Sequence, residues 1–419
     1  MTDILRIRKS RLFGDVTLSG AKNSALRMLA ASILTSEKIE LHNYPAGLSD
    51  AAIHIEMLGL LGKKCTLGGN RVIIEQTDSL VSNLDWKGRS IRNTLLILGA
   101  LVAKTGHGCV PLPGGCELGD RIYDLHELVL KNLGAKVWTE NGTLCAEAPK
   151  GLTGADIHLP LRSTGATENA IIAGSLAKGV TRIWNPHIRP EIIDLINFLK
   201  SMGAKIKVFG QEQIEVTGVD GLTGTAYTIM LDNMEAITWL VAAVVTGGDV
   251  EIHKFPTRDL EIPMIHLRES GAKFYIDDDN LVVRGGRCYP LDISTGPFPG
   301  INSDVQPILA AYAACAQGES RIIDLRFPGR YGYVGEMAKM GLEYSIQDNL
   351  LRIKGDGGKL TGARVKALDL RAGAALTLCG LVANGETILE DAWQVERGYD
   401  DFFKKLKNLN GNVEQCSVC

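Results

Sequence analysis

The chain has 419 residues, 45% of them apolar and 22% charged, with 14 prolines and a formal net charge of −3. That length is too great for one ordinary core and fits two domains of about 200 residues. The composition excludes a disordered chain, and the small net charge gives no global pull towards nucleic acid or a membrane.

The opening MTDILRIRKSRLFG lacks the apolar centre of a secretory signal, and no later run is apolar enough to span a bilayer. The expected location is cytoplasmic, with neither nucleic acid nor membrane as a partner. The first long element is a helix with a polar start at Ser19-Gly-Ala-Lys22-Asn23, an Ala/Leu-rich body, a break and a strand ending near His42. A more amphipathic helix follows, ending at Gly62, and then a strand, turn and strand through Glu75.

The same phrase then repeats. The amphipathic helices end at Gly62, Gly134, Gly203, Gly271, Gly341 and Asn410, a period of about 70 residues. Glycine, or Asn as its best substitute, suits a helix C-terminus that needs a left-handed backbone. After each end, alternation such as Lys205-Ile-Lys-Val208 with Ile214-Glu-Val216 predicts a half-buried hairpin, and Asp277 to Asn280 is its turn in the fourth copy. The other helices of the six copies, in RNTLLILGALVAK and NMEAITWLVAAVV for example, are apolar on nearly every side and are expected inside.

Six copies make two α/β domains of three, with sheets and amphipathic helices outside and apolar helices inside. Grouping whole copies assigns residues 21–230 to one domain and 1–20 with 231–419 to the other. The helix starts of each domain are expected on one face, and two such faces opposed across a hinge would concentrate positive dipole.

Charge supports that placing. Arg121, Arg189, Arg258, Arg330 and Arg397 stand 11 to 14 residues ahead of the helix-ending Gly or Asn, with Ser49 in the first copy. A cation near a helix start opposes the macrodipole and asks for a carboxylate or a bound anion. Glu191 and Asp259 could answer Arg189 and Arg258 locally, so both explanations stay open there. Lys22, Arg92 and Arg371 begin otherwise apolar helices, and with Arg121, Arg330 and Arg397 they could hold a small multiply charged anion. Asp232, Glu235, Asp304 and Asp369 read as helix caps by default, one of them being a possible general base.

Cys116 lies in PLPGGCELGDR, residues 111–121, a Gly- and Pro-rich loop where Arg121 would favour the thiolate. The nine cysteines are irregularly spaced and are expected to be reduced; Cys416 and Cys419 have CxxC spacing but no second pair to complete a metal site. Neither GxxxxGK[S/T] nor a strand-linked GxGxxG occurs, which removes a nucleotide hydrolase.

SGAKN at 19–23, PGGC at 113–116, DLRA at 369–372 and RGY at 397–399 together make the chain resemble the UDP-N-acetylglucosamine 1-carboxyvinyltransferase family over essentially its whole length. The resemblance implies a two-domain inside-out α/β barrel that closes on its substrates. It implies transfer of the enolpyruvyl group of phosphoenolpyruvate to a uridine nucleotide sugar for peptidoglycan synthesis, without metal or cofactor. Lys22, Arg121 and Arg397 would clamp phosphoenolpyruvate, with Arg92, Arg330 and Arg371 adding charge. Cys116 would be the loop thiol that donates a proton and that fosfomycin alkylates. Asn23 and Asp304 would contact the sugar, Asp304 as candidate base, within a binding set that also holds Asp369. Arg121 to His126, including Asp124 and Leu125, and Ser163, Thr164 and Gly165 would line the uridine and diphosphate sites.

Leu96, Asn233 and Ser49 depart from the family pattern, where Trp, Arg and Lys occur. A paralogue acting on another uridine nucleotide and a catalytically silent binding homologue therefore stay open as alternatives. The PGGC loop argues against the shikimate-pathway enzyme of the same fold.

Overall fold

The computed structural model describes residues 3–89, 91–113 and 123–417. The chain divides into two compact units, Gly20–Met230 and Met1–Ser19 with Leu231–Cys419, each built on its own apolar core.

In Gly20–Met230 the apolar helices are Lys22–Ala31, Thr94–Thr105 and Thr164–Gly174, and in the other unit they are Asn233–Val245, Gln306–Ala314 and Leu370–Val382. Their burial follows from composition: a helix with no polar face has no side to give to water. In Asn233–Val245 every residue up to Val244 is buried. The amphipathic helices, such as Pro190–Ser201 and Glu261–Glu269, bury one stripe only. Each ends on a residue with positive φ, +93° at Gly62 and +63° at Asn410, as the repeated phrase requires.

The sheets contain an element that the repeat did not reveal. Strand Asp156–His158, just before helix Thr164–Gly174, pairs in parallel with Val180–Trp184, just after it. Asp292–Ser294 and Arg364–Lys366 do the same around the next two helices of their own unit. Three residues are too few to show a period-2 pattern. Two strands of this class cross over. Phe13–Thr17 precedes the Lys22 helix yet pairs with Asp249–His253, and Thr225–Thr228 precedes the Asn233 helix yet pairs with Ile39–His42. The chain therefore changes unit between a strand and the helix that follows it.

The sixth hairpin is completed from the other end of the chain. Asn412–Ser417 pairs antiparallel with Asp3–Arg8, which also pairs with Glu386–Glu390.

Cys109 and Cys145 face each other across the antiparallel pair His107–Pro111 and Thr143–Glu147 and are disulfide-bonded, where reduced thiols were expected. Strand register brings them together, and spacing along the chain carries no sign of it. Cys288, Cys315 and Cys379 are buried free thiols. Among the described residues no helix is long and apolar enough to cross a membrane.

Candidate active site

In Gly20–Met230, Lys22 is the first residue of its helix and is buried, with Nζ 2.8 Å from Asp50 Oδ2. Asp50 sits in the first turn of helix Ser49–Leu60, where the dipole favours an acid. Its other oxygen accepts from Arg89 Nη2 at 2.7 Å, and the same nitrogen reaches Ser49 Oγ at 3.5 Å. Two cations thus share one buried carboxylate at the helix start.

Beside Lys22, Asn23 Oδ1 accepts from Arg27 Nη1 at 3.4 Å, and Arg27 Nε donates to buried Glu168 at 2.9 Å. Arg92 is half-buried immediately ahead of helix Thr94–Thr105.

Ser163 caps helix Thr164–Gly174 by accepting from Ala166 N at 3.4 Å, and Thr164 Oγ1 lies 2.8 Å from His187 Nδ1. Asp124, exposed, and Leu125, half-buried, open helix Asp124–Asn132. His126, next in line, is buried with Nδ1 3.2 Å from Asn169 Nδ2. Burial, then the charges of Arg92 and Arg27, lower its pKa to about 3. A Cβ on Gly165 would come 2.8 Å from His126 Nε2, so glycine permits the approach of the two segments. His126 is therefore a neutral packing partner of the Ser163–Gly165 turn. Cys116 and Arg121 lie outside the described residues.

In the other unit, Asp304 departs from its default role. Its helix begins at Gln306, with Val305 at the cap position, and Asp304 Oδ1 instead accepts from Arg330 Nη1 at 2.9 Å. Arg330 Nη1 also donates to Ser303 O at 3.2 Å and Oγ at 3.1 Å, and Ser303 is anchored on buried Asp324. Asp232 and Asp369 do cap: Asp232 accepts from Met234 N and Glu235 N, and Asp369 from Arg371 N and Ala372 N. Glu235 caps nothing, accepting from Ser19 N at 2.8 Å, Trp239 Nε1 at 2.9 Å and Lys405 Nζ at 2.6 Å.

Arg371, 2% exposed, is the second residue of helix Leu370–Val382. Its Nε and Nη1, like Arg330 Nε, meet no acceptor among the described residues. Burial works against the charge of Arg371, yet Tyr399, Asp304 and Asp232 hold its pKa above the ordinary guanidinium value. Arg397 Nη1 donates to Gln394 Oε1 at 2.8 Å.

The repeated arginines divide. Arg189 is buried in a two-pronged pair with Glu191 at 2.7 and 2.5 Å, the structural role left open above, whereas Arg258 is exposed in the turn Thr257–Asp259. Sequence reasoning passed over Asp50, Arg89, the Arg27–Glu168 pair and Tyr399. Asp50 offered one signal, an acid beside the single copy that lacks the repeated arginine. Among the described residues, no three His, Cys, Asp or Glu side chains are grouped to hold a metal.

The family model described as EPSP synthase (3-phosphoshikimate 1-carboxyvinyltransferase) matches residues 7–406. UDP-N-acetylglucosamine 1-carboxyvinyltransferase 2 of Carboxydothermus hydrogenoformans is 40% identical over 98% of both chains, and UDP-N-acetylglucosamine 1-carboxyvinyltransferase 1 of Staphylococcus aureus is 37% identical over 97% of both. The crystal structure of the enolpyruvyl transferase NikO from Streptomyces tendae matches with a TM-score of 0.90 at 25% identity over 100% of both chains. EPSP synthase of Acinetobacter baumannii, at 18% identity and a TM-score of 0.76 over 100% of both chains, shares the fold. Matched by the family model over nearly its whole length and by relatives at about 40% identity, the chain belongs to the carboxyvinyl (enolpyruvyl) transferase family of enzymes.

Proposed function

We propose that the enzyme transfers the enolpyruvyl group of phosphoenolpyruvate to the 3-hydroxyl of UDP-N-acetylglucosamine and releases phosphate, a cytoplasmic step towards peptidoglycan. The observation that carries this reading is the pair of buried guanidiniums, Arg371 and Arg330, whose Nε atoms, with Nη1 of Arg371, meet no acceptor among the described residues. A buried cation of that kind is costly unless an anion supplies the missing acceptors. Phosphoenolpyruvate brings a carboxylate and a phosphate, both suited to guanidinium forks.

In this reading Lys22, Arg121 and Arg397 hold phosphoenolpyruvate, and Arg92, Arg330 and Arg371 stabilise charge on the phosphate. Cys116 donates a proton to the methylene carbon, which leaves an oxocarbenium-like centre. Asp304 takes the proton of the sugar hydroxyl, whose oxygen adds to that centre. Phosphate then leaves the tetrahedral adduct, and a proton returns from the new methyl group to restore the double bond. Each step uses a positioned acid or base with fixed positive charge nearby. Asn23 contacts the sugar, while Asp124, Leu125 and the Ser163–Gly165 turn take the nucleotide side. Asp369 supports the site by fixing the first turn of the Arg371 helix.

Two of the three departures from the family pattern are accommodated locally. Leu96 packs in the core at 3% exposure, and Ser49 accepts from Arg89, which brings a cation to that copy. Phosphate release should be measured with UDP-N-acetylglucosamine, UMP and shikimate 3-phosphate as alternative acceptors. Release with the first supports the proposal; release with only one of the others, or with none, rejects it.

A further inference from the structure

We infer that Tyr399 is a positioning residue for Arg371, holding the guanidinium by its ring face so that the unpaired N–H groups stay directed at the substrate anion. The inference rests on the role given to Arg371 above. Arg371 Cζ lies 4.9 Å from the Tyr399 ring centroid, and both residues are nearly inaccessible, at 2% and 1% exposure. A desolvated cation over an aromatic face is attracted by the ring quadrupole. Burial raises the Tyr399 phenol against the pull of the guanidinium, so the ring is neutral at neutral pH.

The ring is itself fixed on two sides. Its hydroxyl lies 3.0 Å from the buried Thr238 Oγ1, and its ring lies tilted against Phe402 at 5.0 Å between centroids. Phe402 stacks on Trp239 at 4.9 Å, and Trp239 Nε1 donates to Glu235. Gly398 sets the approach: a Cβ there would fall 2.1 Å from Leu370 Cδ1, the side chain just before Arg371. Glycine therefore lets the Arg397–Tyr399 segment lie against the start of helix Leu370–Val382. One close contact registers Arg397 and Arg371 to each other. A purely structural tyrosine would need the volume and the Thr238 bond, but not the cation on its face.

The test is kcat/KM for phosphoenolpyruvate in single and paired variants. Tyr399→Phe keeps the ring face but removes the hydroxyl's bonds to Thr238 and to the Arg371 guanidinium, and should lose about tenfold, the scale of a hydrogen bond to a charged group. Tyr399→Leu should lose about 30-fold, the scale of a desolvated cation–ring contact. Arg371→Ala with Tyr399→Leu should be little worse than Arg371→Ala alone, because both remove the same interaction. Should Tyr399→Leu fail to fold, a series of increasingly fluorinated phenylalanines at 399 changes the quadrupole at nearly constant shape. A graded fall in kcat/KM along that series supports the inference. A flat series, or losses that multiply in the double variant, overturns it while Arg371→Ala is still damaging. If Arg371→Ala turns over normally, the role of Arg371 itself is wrong, and the inference goes with it.

Discussion

Asp50 shows how much one buried carboxylate decides. It pairs with both Lys22 and Arg89, so Asp50→Asn removes a counter-charge that the two cations share. Breaking such a pair from one side is expensive, and we expect about 3 kcal/mol lost in urea denaturation, with kcat/KM reduced and Lys22→Ala adding little on top. Full activity in Asp50→Asn would show that Lys22 is held by other means. Lys22→Ala or Arg397→Ala alone should remove about 3 kcal/mol of transition-state stabilisation, roughly 100-fold in kcat/KM. Arg258, exposed in its turn, should be replaceable by Ala without kinetic effect; equal losses at Arg258 and Arg397 would mean that the arginines serve the fold. Lys22 and Arg371 could be picked out in the sequence because a charge opening an apolar helix has few structural uses. Asp50 could not, since an acid in a first helical turn is what the dipole alone predicts.

Between elements, two buried histidines on amphipathic helices meet asparagines of the apolar helices. His54 Nδ1 lies 3.0 Å from Asn93 Nδ2, as His126 pairs with Asn169, and burial followed by the Arg27 charge lowers the His54 pKa to about 3. Both imidazoles are folded in the neutral form, and their folded pKa values lie below the ordinary 6.5. The unfolded chain therefore binds more protons between pH 6.5 and 3, and stability is lost as pH falls through that window. From pH 6.5 to 5 the loss should be about 2 kcal/mol per histidine. Thermal denaturation across that range should show a smaller drop for His54→Gln than for the parent chain, and parallel curves would contradict the assignment. The six apolar helices, the amphipathic helices and their hairpins were legible because each carries a long periodic pattern and a Gly or Asn stop. The three-residue parallel strands were not, and the exchange of Phe13–Thr17 and Thr225–Thr228 between units depends on pairing partners far away in the chain. The Cys109–Cys145 bond was hidden for the same reason, since register, and not spacing, opposes the two residues.

For the whole molecule, the proposed chemistry uses residues from several copies of the repeat, so no single copy could perform it. Cys116 should be the thiol that fosfomycin labels first, faster with the acceptor bound, because a cation beside a loop cysteine favours its thiolate. Peptide mass spectrometry should place a single adduct between Pro113 and Arg121, and labelling mainly at Cys416 or Cys419 would remove Cys116 from the mechanism. The most direct test of the central claim is turnover of phosphoenolpyruvate with UDP-N-acetylglucosamine in deuterated water, followed by mass spectrometry of the nucleotide sugar. Protonation at the vinyl carbon followed by elimination predicts an enolpyruvyl ether on the sugar with solvent deuterium in its methylene group. A nucleotide sugar recovered unchanged, or an ether whose methylene carries no deuterium, would contradict it.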